Sequence, residues 1–114
     1  IVTTPQNVSL QDSRRGLAMF KQMNIPVLGV IENMTYFIPP DQPQKSYEIF
    51  GSGGGNQLAK ENNVPLLSQI PIESDNYSGT GKDLPVVYTS PDSLTAKVFL
   101  ELAGTLCNAL CVKQ

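Results

Sequence analysis

Hydrophobic and polar positions change period several times along the chain, and each change marks an element. Residues 27–31, Val-Leu-Gly-Val-Ile, form a short unbroken apolar run rich in β-branched side chains and introduced by Pro26. Such a run suits a strand buried on both faces of a parallel sheet. It stops abruptly at Glu32 and Asn33. Those two residues then fall at the carboxyl end of the strand, where open α/β sheets place their ligands, and Asn33 is the first candidate to touch one. Upstream, Ile1 to Thr3 read as the end of another strand. Leu10, Leu17 and Phe20, with Ala18 and Met23, recur at helical spacing, so a helix capped by Asn7 or Ser9 is expected to run to about Met23. Strand, helix, strand in this order forces parallel pairing.

The pattern then becomes irregular. Pro39, Pro40 and Pro43 remove backbone donors between Met34 and Tyr47 and exclude a regular helix there. Connections beyond about 12 residues in compact domains are usually functional or mobile. The Tyr36-Phe37-Ile38 triplet within this one either docks a partner or folds back on its own domain. Periodicity returns with a helix expected from Gln57 to about Asn62. Residues 64–71, Val-Pro-Leu-Leu-Ser-Gln-Ile-Pro, read as a second buried strand, repeating in form the junction at Ile25-Pro26. Residues 72–82 are polar, and Pro85-Val-Val-Tyr88 reads as a short extended piece. Ser90-Pro91-Asp92 reads as a helix start with Ser90 as N-cap. Leu94, Val98, Leu102, Leu106 and Leu110, broadened by Phe99 and Ala103, mark the stripe this last helix is expected to bury.

Composition narrows the function classes. The chain has 114 residues and is 40% apolar, enough for the core of one α/β domain. Its opening, Ile1-Val-Thr-Thr-Pro-Gln6, reads as a strand already under way, so a piece of a longer chain is expected. In isolation such a piece would expose a sheet edge and an apolar face, and association or partial disorder is expected of it. Eight basic and ten acidic residues give a net charge of −2, with no Lys/Arg run, which speaks against nucleic acid as a partner. No apolar run reaches about 18 residues, which speaks against a membrane span. There is no His. Cys107 and Cys111, four apart, either hold half of a soft-metal site shared with another chain or continue the apolar face of the last helix. The lack of further ligands favours the second.

Two glycine-rich stretches invite a phosphate-binding reading and lack what it needs. Gly51-Ser-Gly-Gly-Gly-Asn56 precedes a helix, but Asn56 stands where a dinucleotide fingerprint needs glycine, and no buried strand leads directly into it. A tight loop into the helix explains it better. Gly79-Thr-Gly-Lys82 resembles the end of a Walker A loop, but Asn76 replaces the upstream glycine and Asp83 the magnesium-binding hydroxyl. Glu32, Glu73 and Asp75 are candidate acid or base groups with no nucleophile paired to them in sequence, and solvated carboxylates are expected.

Taken together, Ile1-Val-Thr-Thr-Pro-Gln6, Asp12-Ser-Arg-Arg-Gly-Leu-Ala-Met-Phe20, Pro26-Val-Leu-Gly-Val-Ile-Glu-Asn-Met34, Ile49-Phe-Gly-Ser-Gly-Gly-Gly55 and Ile70-Pro-Ile72 closely resemble the Mrp/ApbC family. That family comprises MinD-like P-loop ATPases with a deviant Walker A motif that carry iron–sulfur clusters to apoproteins. The resemblance implies an α/β fold, the C-terminal part of a parallel-sheet P-loop NTPase domain with helices on both faces. Residues 1–114 would then be the C-terminal portion of one nucleotide-binding domain, lacking the phosphate loop and the magnesium-binding acidic motif. It implies ATP and Mg2+ as cofactors of the full-length protein, a P-loop ATPase, and no hydrolysis by this piece alone. It also implies a homodimer, apo iron–sulfur proteins as partners, and a cytoplasmic location.

For this chain the resemblance implies the adenine end of the site and no catalytic or metal residue. Asn33 matches the family asparagine whose carboxamide reads the base, a group that donates and accepts at once. Backbone around Pro71, Ile72 and Glu73 would form the other wall. Without the resemblance, Asn33 reads more simply as a strand-end cap bonding local backbone. Two positions depart from the family. Where cluster-binding members carry Cys-x-x-Cys, this chain has Pro39 and Gln42, so whether it binds an iron–sulfur cluster stays open. Gly79-Thr-Gly-Lys-Asp-Leu-Pro85 stands in place of the usual Gly-Gly-Asp-x-Gly-x-Pro. The alternative reading is a non-catalytic interaction module that docks a partner through residues 34–47, with no nucleotide role.

Overall fold

The computed structural model describes residues 1–73 and 84–110. Three parallel strands, β1 (Val2–Thr3), β2 (Val30–Glu32) and β4 (Leu66–Gln69), form a sheet in the order β1-β2-β4. Helix α1 (Asn7–Gln22) joins β1 to β2. The longer crossover from β2 to β4 carries β3 (Phe37–Ile38) and α2 (Gly54–Glu61). β5 (Ile72–Glu73) pairs in parallel with β3, and α3 (Val86–Thr89) and α4 (Leu94–Leu110) follow. No helix among the described residues is long and apolar enough to cross a membrane.

Leu10 and Leu17 from α1, Val30 from β2, and Leu58 and Ala59 from α2 make one buried cluster, with Val27, Val64 and Leu66 packed against it. Val30 and Ile31 point to opposite faces, as strand geometry requires. Ile31 therefore faces the other side, where it lines a groove with Leu67 and with Leu106 of α4, and the sheet carries helices on both sides. On that second face an apolar groove of about 290 Å³ stays open. Beside it, at the edge of the sheet, Val2 is 62% exposed.

Both helix-to-strand junctions are built alike. Asn24 and Asn63 take left-handed φ values of 55°. The following residues, Ile25 and Val64, donate backwards to the carbonyls of Phe20 and Ala59 at 2.9 and 3.1 Å. Each is a Schellman stop with asparagine in the glycine position and a hydrophobic residue after it, and Pro26 and Pro65 then forbid further helix.

Several local expectations are corrected. The strand expected over residues 27–31 is Val30–Glu32, and its pairing with β4 shifts register between Val30 and Ile31. Gly29 lies so near its neighbour that an added Cβ would sit 2.6 Å from the Pro65 carbonyl. Residues 34–47 are not wholly irregular: Phe37 pairs with Ile72 and bridges Tyr47, and Tyr36, Phe37 and Ile38 are half-buried. Neither Asn7 nor Ser9 caps α1. Ser9 Oγ instead accepts the Thr4 N–H at 2.9 Å, tying the helix back to the end of β1.

Helix α2 begins three residues before Gln57, since Gly54 and Gly55 are already helical. Residues 86–89 are a helical turn rather than extended. The cap of α4 is Ser93, whose Oγ accepts the Ala96 N–H at 3.1 Å, and not Ser90. The α4 stripe is core only at its centre. Leu102 is buried and Val98 and Leu106 are half-buried, while Leu94, Phe99, Ala103 and Leu110 are exposed. Cys107 is exposed and not a buried hydrophobe. Cys111, Asp75 and the Gly79-Thr-Gly-Lys82 stretch lie outside the described residues.

Candidate functional site

Because β1, β2 and β4 are parallel, their carboxyl ends share one rim of the sheet. Three chain segments leave the sheet there: Thr4-Pro5 after β1, Asn33-Met34 after β2, and Ile70-Pro71 after β4. The start of α2 reaches the same rim, since a Cβ at Gly54 would lie 3.3 Å from the Pro5 carbonyl.

Asn33 is half-buried at this rim. Its backbone N–H donates to the Thr3 carbonyl at 2.7 Å, and its Oδ1 accepts the Met34 N–H at 2.9 Å. The strand-end cap is therefore real. It occupies only one lone pair of the amide oxygen, and the Nδ2 hydrogens find no partner among the described residues. Met34, next in the chain, has φ +56°. For a bulky L residue that left-handed conformation costs about 1–2 kcal/mol, so the surroundings must hold it in place.

The hold is visible across the β2–β4 gap. Ile70 donates to the Glu32 carbonyl at 2.8 Å, Thr35 donates to the Ile70 carbonyl at 3.0 Å, and Ile72 donates to the Tyr36 carbonyl at 2.7 Å. The Asn33-Met34 step thus bulges directly opposite Ile70 and fully buried Pro71. Asn33, Pro71 and Ile72, expected together from the sequence, meet at one strand junction. Glu73 sits further on, and its Oε1 accepts both the N–H and the hydroxyl of Thr95 in the first turn of α4.

Glu32 is the residue that sequence reasoning misjudged. It is not solvated but 0% exposed. Its Oε2 accepts the Gly55 N–H at 2.7 Å and its Oε1 accepts from Gln69 Nε2 at 3.3 Å. Alternation was the available signal: Glu32 lies two residues after core-facing Val30, on the same side of the strand. This contact also accounts for the glycine run. Gly51 and Gly53, with φ of +101° and +78°, make the turn. Gly54 and Gly55 let α2 press onto Leu10 and Glu32, where added Cβ atoms would lie 2.6 and 2.8 Å from them. A helix start attracts an anion, and here the protein's own carboxylate takes that place.

Elsewhere, Arg14 on α1 clasps Glu61 on α2 through Nε and Nη2 at 3.0 and 3.2 Å. This hydrogen-bonded, oppositely charged pairing holds the Glu61 carboxyl below its ordinary pKa and raises that of Arg14. No group of three or more metal-ligating side chains gathers among the described residues. Pro39 and Gln42 are the ends of a turn closed by a 3.2 Å bond from the Gln42 N–H to the Pro39 carbonyl. With no thiolate at either position, this turn does not fit a cluster held by cysteines.

The profile of the ParA family, described as NUBPL iron-transfer P-loop NTPase, matches residues 1–107. An iron-sulfur cluster carrier protein of Synechocystis sp. is 54% identical over 108 residues, 95% of this chain and 31% of that protein. One of Aquifex aeolicus is 46% identical over 110 residues, 96% of this chain and 30% of that protein. The iron-sulfur protein required for NADH dehydrogenase, mitochondrial, of Arabidopsis thaliana is 37% identical over 110 residues, 96% of this chain and 35% of that protein. The chain thus spans about a third of the length of these relatives.

Proposed function

The chain belongs to the ParA family of NUBPL iron-transfer P-loop NTPases, and from that premise we propose that it supplies the base end of the nucleotide site in an ATP-binding iron–sulfur cluster carrier. Residues 1–114 are the C-terminal portion of one nucleotide-binding domain in this reading. Asn33 recognises the adenine edge, the backbone of Pro71, Ile72 and Glu73 walls the ring, and ATP phosphates and Mg2+ are held by the rest of the protein. The full-length protein is an ATPase that works as a cytoplasmic homodimer, its cargo is an iron–sulfur cluster, and its recipients are apo iron–sulfur proteins. The segment described here contributes binding and orientation and no bond-breaking group.

One observation carries the reading: a carboxamide whose donors find no partner among the described residues stands on the rim where a parallel sheet offers its ligand crevice, opposite a buried proline. The Met34 N–H on Oδ1 fixes the rotation of the amide plane. Nδ2 is then free to donate to a ring nitrogen, and the second lone pair of Oδ1 is free to accept from an exocyclic amino group.

The test is titration of the full-length protein with ATP, with inosine triphosphate, which lacks that amino group, and with tripolyphosphate. Two neutral hydrogen bonds of about 0.5–1.5 kcal/mol each predict that Asn33→Ala weakens ATP binding about tenfold. The preference for ATP over inosine triphosphate should shrink with it, and tripolyphosphate affinity should stay the same. Equal ATP affinities for wild type and Asn33→Ala would remove Asn33 from the site and leave the 34–47 segment as a partner-docking element.

A further inference from the structure

We propose that Glu32 is a positioning residue for base recognition, acting through the backbone of Asn33 and Met34; the proposal rests on the reading of Asn33 given above. Three sets of contacts fix this stretch of chain. The Asn33 N–H reaches sideways to Thr3 on β1. The Glu32 carbonyl receives both the Ile70 N–H and the Thr35 hydroxyl. The Glu32 carboxylate adds a direction that the backbone cannot supply, binding the first turn of α2 at Gly55 and, across the β2–β4 pairing, Gln69. The residue immediately after Asn33 is strained at φ +56°. Such a conformation persists only where its surroundings over-determine it: Asn33 Oδ1 holds the Met34 N–H and Thr35 holds the Glu32 carbonyl, and the Glu32 carboxylate ties the start of this step to α2 and β4.

The choice of residue is otherwise costly. Among the described residues, the 0% exposed Glu32 carboxylate bonds an amide N–H and a carboxamide and meets no cation that would offset its desolvation. An apolar side chain would pack the same space with less penalty, but it would leave the Gly55 N–H without an acceptor. It would also remove the hydrogen bond that ties the first turn of α2 to the rim at Glu32. Glutamine would preserve the frame, because its Oε1 can take the Gly55 N–H while Gln69 turns its own amide to accept from the new Nε2.

The experiment is a double-mutant cycle in the full-length protein, read as dissociation constants for ATP, inosine triphosphate and tripolyphosphate. Glu32→Ala should weaken ATP about as much as Asn33→Ala does, roughly tenfold, and cut the preference over inosine triphosphate while leaving tripolyphosphate unchanged. Added to Asn33→Ala, it should cost nothing further, and Glu32→Gln should restore wild-type discrimination. Fold-changes that multiply in the double variant, or equal weakening of all three ligands, overturn the proposal while leaving Asn33 in the site. An Asn33→Ala variant that binds ATP like wild type overturns the base-site reading and this proposal together. If Glu32→Ala does not fold, Gln69→Ala, at an exposed strand position, carries the same prediction at roughly two- to threefold. An unchanged ATP preference in Gln69→Ala then counts against Glu32.

Discussion

A single chemical change, glycine to alanine, should have opposite signs at two helical positions. At Gly16, inside α1, an added Cβ meets nothing within 4 Å. Alanine there removes the entropic cost of helical glycine and should stabilise by about 0.5–1 kcal/mol. At Gly55, in the first turn of α2, the same helix preference favours alanine by about 1 kcal/mol. The new Cβ, however, would lie 2.8 Å from both Cβ and Oε2 of Glu32, and 3.1 Å from its Cδ. Glu32 is wholly buried and held at both oxygens, so it cannot withdraw without breaking its bonds to Gly55 and Gln69. Overpacking costs about 1–3 kcal/mol, and a lost hydrogen bond to a charged group about 1.5–3 kcal/mol. After the helix gain is subtracted, Gly55→Ala should destabilise by about 1.5–5 kcal/mol. Urea unfolding of the full-length protein, followed by far-UV circular dichroism, reads both variants as midpoint shifts at unchanged slope. A Gly55→Ala midpoint at or above wild type would mean that Glu32 yields freely, and the rigid anchor described above would not exist.

Two further tests probe the frame around this anchor. The Glu61 carboxyl is held below its ordinary value of 4.5, first by its hydrogen bond to Arg14. A carboxyl with a lowered folded pKa contributes stability above its unfolded pKa and loses it as the pH falls through the folded one. Arg14→Ala should therefore melt lower than wild type near pH 7, with the gap closing on acidification below the folded pKa of Glu61 and narrowing in high salt. A gap that persists in acid would mean that Arg14 acts through packing alone. Leu58 is 0% exposed at the centre of the main cluster. Leu58→Ala should cost about 2–5 kcal/mol in denaturant unfolding, and a loss under 1 kcal/mol would mean that α1 and α2 collapse onto the gap.

The elements whose sequence pattern is local were readable, and those that depend on a distant partner were not. Helix α1 declared itself through Leu10, Leu17 and Phe20, and the paired stops at Ile25-Pro26 and Val64-Pro65 were visible as an echo. The missed elements share one cause. Strand β3 exists because Phe37 meets Ile72 across a long connection, and nothing near residue 37 announces that partner. The start of α2 lay hidden because Gly54 and Gly55 read as loop by propensity, whereas tertiary contact with Leu10 and Glu32 selects them. The α4 stripe was legible as a helix, but its burial depends on what the sheet presents, and that reaches only as far as Leu102 and its half-buried neighbours.

For the candidate site the division is sharper. The residue types along the chain were enough to point to a parallel α/β sheet, a polar exit at Glu32-Asn33, and a resemblance that the ParA family match now bears out. Strand propensity and helical period act over a few residues, so one dimension suffices to express them. Which of the two adjacent polar residues is buried and which faces outward was decided only in three dimensions. It took α2 arriving at the rim with an unfilled N–H to turn Glu32 from a solvated acid into an internal anchor. Hydrogen-bond demand at a helix start is met by whatever folding brings near it, and that neighbour stands 23 residues away in the chain.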